Sequence, residues 1–82
     1  KKGHAGAQAL LGQLLFSGDD DLPRRPAQGL TWLTIARSNV HHDGREEWIR
    51  EAQEQAFSVA SEQERRRAIA EAQVWIARGG NP

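Results

Sequence analysis

Few side chains in this sequence could carry out chemistry, and they are scattered. His41, His42 and Asp43 are the nearest approach to a metal site, with His4 far away along the chain. Adjacent side chains point in different directions, and no two His residues have the i,i+4 spacing that would place both ligands on one helix face. The run Asp19–Asp21 lacks the alternating ligands and the closing Glu of a calcium-binding loop. We therefore interpret both stretches as solvated loops and expect no metal and no cofactor.

The sequence does not indicate a catalytic or nucleic-acid-binding site either. The chain has no Cys, no Ser in a nucleophile motif and no Gly-rich phosphate loop. Basic residues cluster at Arg24-Arg25 and Arg65–Arg67, but three consecutive helical residues spread over about 200° instead of forming one patch. Lys plus Arg and Asp plus Glu each number 11, so the formal net charge is zero. We expect neither an enzyme nor a nucleic-acid-binding protein, since such binders usually carry a basic excess.

Helices must position any functional side chain, because apolar residues recur at helical spacing and do not alternate at period two over a useful length. The first helix is expected over residues 4–17, ended by Gly18, and the second from Pro26 to about Ser38. A capping box of Asp43 and Glu46 is expected to begin the third helix.

The fourth helix is expected to start near Glu62, because Ser61 and Glu64 form a second capping box, and to end at Gly79-Gly80. One continuous helix from 44 to 78 is the alternative. No apolar run approaches the roughly 20 residues that span a membrane, so membrane insertion is not expected. The chain begins with Lys and shows no signal-peptide pattern, which suggests a mature product or part of a longer chain. Its Ala- and Arg-rich composition suits a bacterial protein of either the cytoplasm or the periplasm.

The first helix is apolar on two sides, which predicts burial on both. Its wide face, expected to pack on the second helix, consists of Ala7, Leu10, Leu11, Leu14 and Leu15. A second stripe consists of Ala5, Ala9, Gly12 and Phe16. Because Gly12 costs roughly 1 kcal/mol of helix propensity relative to Ala, we expect it to mark a close helix contact. The second stripe is the predicted interface with a further repeat, a second copy or another subunit.

The first half of the chain carries an ordered set of small and aromatic residues. They are Ala5-Gly6-Ala7-Gln8, Leu11-Gly12, Gly18, Pro23, Ala27, Trp32-Leu33 and Ala36. This pattern resembles the Sel-one-like repeat family, relatives of the tetratricopeptide repeats. The chain departs from the family at Leu15, where Tyr is usual, and at Asp19–Asp21, where Gly-x-Gly is usual.

The resemblance implies an all-α fold of two consecutive antiparallel helical hairpins, which is four helices in a short α-α superhelix or solenoid fragment. We expect one domain over 1–82, with a repeat unit at 3–39 and a degenerate or capping hairpin at 43–80. A faint internal repeat fits this division, because Ala27 and Trp32-Leu33 in the second helix correspond in spacing to Ala70 and Trp75-Ile76 in the fourth.

The resemblance also implies a non-catalytic protein–protein interaction module or assembly adaptor, binding through the first helix of each hairpin. The predicted partner-binding residues are Leu10, Gln13, Phe16, Ser17, Arg50 and Gln53. The partners are expected to be proteins, and a homo-oligomer or a larger complex fits the pattern as well. Two alternatives stay open: a small accessory subunit embedded permanently in a larger complex, and a metal-handling protein that uses the His residues.

Overall fold

A computed structural model describes residues 4–40 and 47–78 of the chain. Four helices form over these residues: α1 (His4–Ser17), α2 (Pro26–Ser38), α3 (Glu47–Val59) and α4 (Glu62–Ala77). No β-strand occurs in the described ranges, so the predicted all-α class with four helices is confirmed. The capping box predicted at Asp43 and Glu46 and the predicted stop at Gly79-Gly80 lie outside the described residues.

Helix α2 lies at the centre of the molecule. Helices α1, α3 and α4 all pack against it, and α1 also contacts α3. The side chains of Leu30, Leu33 and Ala36 on α2 are fully buried, together with Ile49 from α3 and Ala68 from α4. Helices α3 and α4 pack mainly against α2 and only a little against each other. The position of every other helix therefore depends on the faces that α2 presents.

The two glycines at the centre of the α1–α2 contact allow the two backbones to touch. A Cβ atom on Gly12 would lie 2.8 Å from the carbonyl oxygen of Gly29. A Cβ atom on Gly29 would lie 2.6 Å from the carbonyl oxygen of Gly12 and closer still to the backbone nitrogen of Phe16. Side chains cannot be accommodated at such distances, so the prediction that Gly12 marks a close helix contact is confirmed.

The predicted assignment of faces on α1 is wrong. Ala5, Ala9 and Gly12 are buried against the rest of the fold, whereas of the expected hairpin face only Leu15 is buried and Leu10, Leu11 and Leu14 are exposed. Small residues form this contact because they let the α2 backbone approach closely, whereas leucines at the same place would hold the helices apart. The unsatisfied apolar stripe of α1 is therefore the leucine side and not the stripe of Ala9, Gly12 and Phe16.

A loop with defined bonding connects α1 and α2. Gly18 ends α1 with a positive φ of 73°, and its backbone N–H donates to the carbonyl oxygen of Leu14 at 2.7 Å. The Asp19 carboxylate accepts from the backbone N–H of Asp21 at 3.0 Å, while Asp19 and Leu22 exchange two backbone hydrogen bonds. The acidic run is thus part of a tight turn, since Asp favours such local bonds to its own backbone.

Helices α3 and α4 are separate, so the alternative of one continuous helix is wrong. The chain breaks at Ala60 and Ser61, and the predicted capping box is present. The Ser61 hydroxyl accepts from the backbone N–H of Glu64 at 3.1 Å, and the Glu64 carboxylate accepts from the backbone N–H of Ser61 at 2.9 Å. These two bonds satisfy backbone donors that the helix itself leaves unpaired.

Two Gly→Ala substitutions test the backbone contact between α1 and α2. Gly29→Ala should lower the free energy of unfolding by about 3 kcal/mol or more, because the new methyl group meets backbone atoms that cannot move aside. Gly6→Ala should instead raise it by roughly 0.5–1 kcal/mol, since no atom lies within 4 Å of the added carbon and alanine favours the helix. Urea titrations followed by circular dichroism measure both, and equal effects would contradict the contact.

The capping box is tested by Ser61→Ala. This change should destabilise the protein by about 1 kcal/mol, because the backbone N–H of Glu64 loses its acceptor. Ser58→Ala is the matched control near the end of α3, where the exposed hydroxyl donates only to the carbonyl oxygen of Gln55. Its effect should stay within about 0.5 kcal/mol. The cap would have no energetic role if the two variants unfolded at the same urea concentration.

Candidate functional site

The C-terminal halves of α1 and α3 border an open groove of about 310 Å³. The groove residues of α1 and of α3 both lie in the second half of their helix. Leu33 of α2 forms its buried floor. The remaining lining residues are Gln13, Phe16, Ser17, Ala52, Gln55, Ala56 and Val59.

None of the described residues that line this groove is charged. Its floor is apolar, and the exposed side chains of Gln13 and Gln55 add an amide group from each helix. Primary amides both donate and accept hydrogen bonds, so they can pair with the backbone of a bound segment. An apolar floor with a few polar groups at its edge is the usual construction of a binding site. Among the described lining residues there is neither a nucleophile–base pair nor a set of metal ligands.

Three of the predicted partner-binding residues come together here. Gln13, Phe16 and Ser17 all line the groove. Leu10 does not, because its side chain lies exposed on the outer side of α1. On α3 the groove is lined by Ala52, Gln55, Ala56 and Val59, which the sequence analysis did not select.

The two predicted residues of α3 make internal contacts instead. Gln53 is 7% exposed. Its side-chain oxygen accepts from the Arg37 guanidinium at 2.7 Å, and its nitrogen donates to the Thr34 hydroxyl at 3.4 Å. Arg50 lies within 3.3 Å of Glu47 and 3.9 Å of Glu54. These bonds join α3 to α2 and to itself, so neither side chain faces the groove.

The same contact between a Phe and an Arg occurs twice in the structure. The Arg24 side chain donates to the carbonyl oxygen of Phe16 at 2.9 Å, and its guanidinium lies 5.6 Å from the centre of the Phe16 ring. Arg65 and Phe57 repeat both contacts at 2.7 Å and 5.4 Å. The two pairs are 41 residues apart in the chain. Each arginine binds the end of a helix, because the carbonyl oxygen that accepts its hydrogen bond belongs to the last turn of α1 or α3.

Sequence analysis missed this repeated contact, although the pattern is visible in the sequence. Phe-Ser followed by an Arg eight residues after the Phe occurs at Phe16 and again at Phe57. The signal was hidden because the first Arg lies in a loop and the second in the first turn of α4. Hydrophobic periodicity shows only which residues share a face of a helix. It therefore does not detect a match between an Arg in a loop and an Arg in a helix.

The arginine triplet is divided among different contacts. Arg65 lies over Phe57, Arg66 pairs with Glu62 at 2.8 Å, and Arg67 pairs with Glu71 at 3.0 Å. A larger opening of about 540 Å³ between the start of α2 and α4 is lined by both basic and acidic side chains, including the Arg67–Glu71 pair. The groove between α1 and α3 differs in that its described lining residues are all uncharged. It is therefore the candidate site.

Over residues 4–40 and 47–78 no three His, Asp or Glu side chains converge as metal ligands would. The predicted metal alternative at His41 and His42 lies outside these ranges. None of the helices in the described part of the chain is both long and apolar enough to cross a membrane.

The chain is similar to two curated proteins, both named exopolysaccharide production negative regulator. It is 39% identical over 69 residues to the protein of Rhizobium meliloti (strain 1021) and 41% identical over 71 residues to that of Rhizobium leguminosarum bv. viciae. Each match covers 84% of this chain and 24% of the relative, so the chain spans about a quarter of the length of these relatives. No family model matches the chain, and no solved structure is detectably similar to it.

Two glutamine substitutions compare the contribution to stability of a buried side-chain amide, that of Gln53, with that of an amide at the groove, that of Gln13. Gln53→Ala should lower the free energy of unfolding by about 1–2 kcal/mol, because Arg37 and Thr34 lose a buried partner. Gln13→Ala on the exposed groove edge should change it by less than about 0.5 kcal/mol. Thermal melts of the two variants give the comparison. A destabilised Gln13→Ala protein would mean that this amide also belongs to the core.

Proposed function

We propose that this chain is a non-catalytic protein-binding module of a regulatory protein, and that it holds a segment of its partner in the groove between α1 and α3. The observation that carries the proposal is the groove itself, with its buried floor at Leu33 and its uncharged walls. A partner segment would place an apolar side chain on this floor. The burial of that side chain would supply most of the affinity.

The side-chain amides of Gln13 and Gln55 would make the polar contacts with a bound segment. Neither Gln13 nor Gln55 makes a side-chain hydrogen bond to another residue in the described ranges. Both are therefore available to a bound backbone without breaking an internal contact. Because the groove has no charge, the segment is expected to be uncharged where it touches the floor, since an ionised group would lose its hydration without gaining a counterion.

The regulatory part of the proposal rests on the two relatives. Both are named as negative regulators, and neither name describes an enzyme. A regulator without a catalytic site can act by occupying a surface of another protein. We propose the same kind of role for the protein to which this chain belongs, with exopolysaccharide production as the process affected.

We further propose that the architecture is a Sel-one-like or related helical repeat, with units at 3–39 and 43–80. The 41-residue separation of the two Phe–Arg contacts supports this, since helical repeats of this class have periods of roughly 33–47 residues. The side-by-side placement of α1 with α3, and of α2 with α4, supports it as well. Such repeats bind partners along the surface formed by their first helices, which is where the groove lies.

A second candidate function is a structural subunit embedded in a larger assembly. Its support is the exposed apolar side of α1, which is opposite the core. A module that binds a transient ligand does not require this surface. The two roles differ in the surface they use, so variants of the groove and of the outer side of α1 distinguish them.

Selection of peptides from a displayed random library on the immobilised chain tests the groove. Selected peptides should carry an apolar residue without neighbouring charges and should lose at least tenfold in affinity against Val59→Glu. Val74→Glu on α4 is the matched control, because Val59 and Val74 are 69% and 52% exposed and only Val59 lines the groove. Titration calorimetry measures both variants. Peptides that bind Val59→Glu as tightly as the original chain would refute the groove as the binding site.

A further inference from the structure

A second opening, of about 380 Å³, lies beside the C-terminal half of α3. It is on the side of this helix opposite the groove, because its α3 residues are half a helical turn away from those that line the groove. We call this space the α3–α4 opening. Its lining residues come from α2, α3 and α4 and are Arg37, Gln53, Glu54, Phe57, Ser58 and Ile69.

The α3 side of this opening repeats the α1 side of the groove. The two Phe–Arg contacts place the ends of α1 and α3 in a common register of 41 residues. In this register, each α1 residue that lines the groove corresponds to an α3 residue that lines the α3–α4 opening. Gln13, Phe16 and Ser17 correspond to Glu54, Phe57 and Ser58.

The α3 side of the groove has its own counterpart on α1. Ala56 lines the groove, and Leu15 stands 41 residues before it; both are 7% exposed, so burial follows the register here. Two further groove residues of α3 have exposed leucines as their equivalents. They are Ala52, which corresponds to Leu11, and Gln55, which corresponds to Leu14. Helix α1 therefore presents to the outside the same side that α3 turns towards α1.

The second helix pair departs from the first where its two helices would meet. Gln53 stands at the place of Gly12, and its side chain accepts a hydrogen bond from Arg37 of α2. A glutamine does not permit the backbone contact that Gly12 makes with Gly29, and α4 packs mainly on α2 and only a little on α3. Ile69 of α4 is left 40% exposed as an apolar surface of the opening.

We propose that the α3–α4 opening is the docking site for a further helix pair of the protein to which this chain belongs. The first helix of that pair lies beside α3 as α3 lies beside α1, and presents small, apolar or amide side chains as Ala52 and Gln55 do. The proposal extends the α1–α3 contact by one step and rests on the repeat architecture proposed above. The relatives are about four times as long as the matched segment, so they have polypeptide for such a pair.

The contacts around the opening favour a helix of this kind over a charged partner. Phe57 is held by Arg65 as Phe16 is held by Arg24, so the ring beside the opening repeats a ring that already borders a packed helix. Glu54 differs in charge from its equivalent in α1, but its carboxylate lies 3.2 Å from the Arg37 guanidinium. That charge is already paired, so an uncharged incoming helix leaves no new charge uncompensated there.

Labelling of an introduced thiol in the full-length protein tests the docking site. This chain contains no Cys, so Ile69→Cys gives it a single thiol. That thiol should react with a maleimide roughly tenfold more slowly in the full-length protein than in the 82-residue chain, because the further helix pair covers it. Val74→Cys is the matched control, since Val74 is 52% exposed and lies about 140° from Ile69 around α4. It should react at similar rates in both.

A lengthened chain tests which helix fits the opening. Residues 1–41 are copied after Pro82, which continues the 41-residue spacing and uses the α1–α2 pair as the probe. Leu14→Glu in the added copy should lower the urea midpoint of unfolding by roughly 0.5 M or more, because that leucine lies against α3. The same change in the first copy should leave the midpoint unchanged, because Leu14 is exposed there.

The proposal is overturned if Ile69→Cys reacts equally fast in the full-length protein and in the 82-residue chain. It is also overturned if Leu14→Glu has the same effect in both copies of the lengthened chain. Protection of Ile69→Cys that grows with the concentration of the 82-residue chain would assign the opening to a second copy instead. The peptide test of the groove is scored separately, because Val59 lies on the other side of α3. Peptide binding that survives a failed labelling test would show that only the docking of a further pair is wrong.

Discussion

The close contact between Gly12 and Gly29 is the constraint on which the rest of this structure depends. It brings the backbones of α1 and α2 together and decides which side of α1 is buried. With α1 held in this way, Leu33 of α2 is left at the bottom of the space between α1 and α3. The groove and the exposed leucines are therefore two consequences of one contact.

The ends of α1 and α3 are each fixed by a contact that combines a hydrogen bond with stacking on an aromatic ring. Arg24 and Arg65 each combine a hydrogen bond to a helix-end carbonyl with stacking on the ring of Phe16 or Phe57. A guanidinium can do both because it is planar and has several donors. The repeated use of this contact gives the two helix pairs a common register.

Local signals in the sequence predicted the helices, whereas the partner-binding residues chosen from the sequence stay a prediction. Gly18, Pro26 and the Ser61–Glu64 pair act within a few residues, so the end of α1 and the starts of α2 and α4 follow from them. Arg50 and Gln53 were selected as partner-binding residues because they lie on the first helix of the second pair. Gln53 instead bonds Arg37, a side chain 16 residues away on another helix. No local pattern predicts such a bond.

The sequence by itself determined that the chain is helical, where α1 and α2 begin and end, where α4 begins, and that Gly12 must contact another backbone. These properties depend on local conformational preference and on the absence of a side chain. Only the tertiary structure decided which side of α1 faces the core, because both sides are apolar and burial energy alone does not choose between them. The distance between the backbones decides this: a glycine and two alanines permit a closer helix contact than leucines, and Leu10, Leu11 and Leu14 are left on the surface.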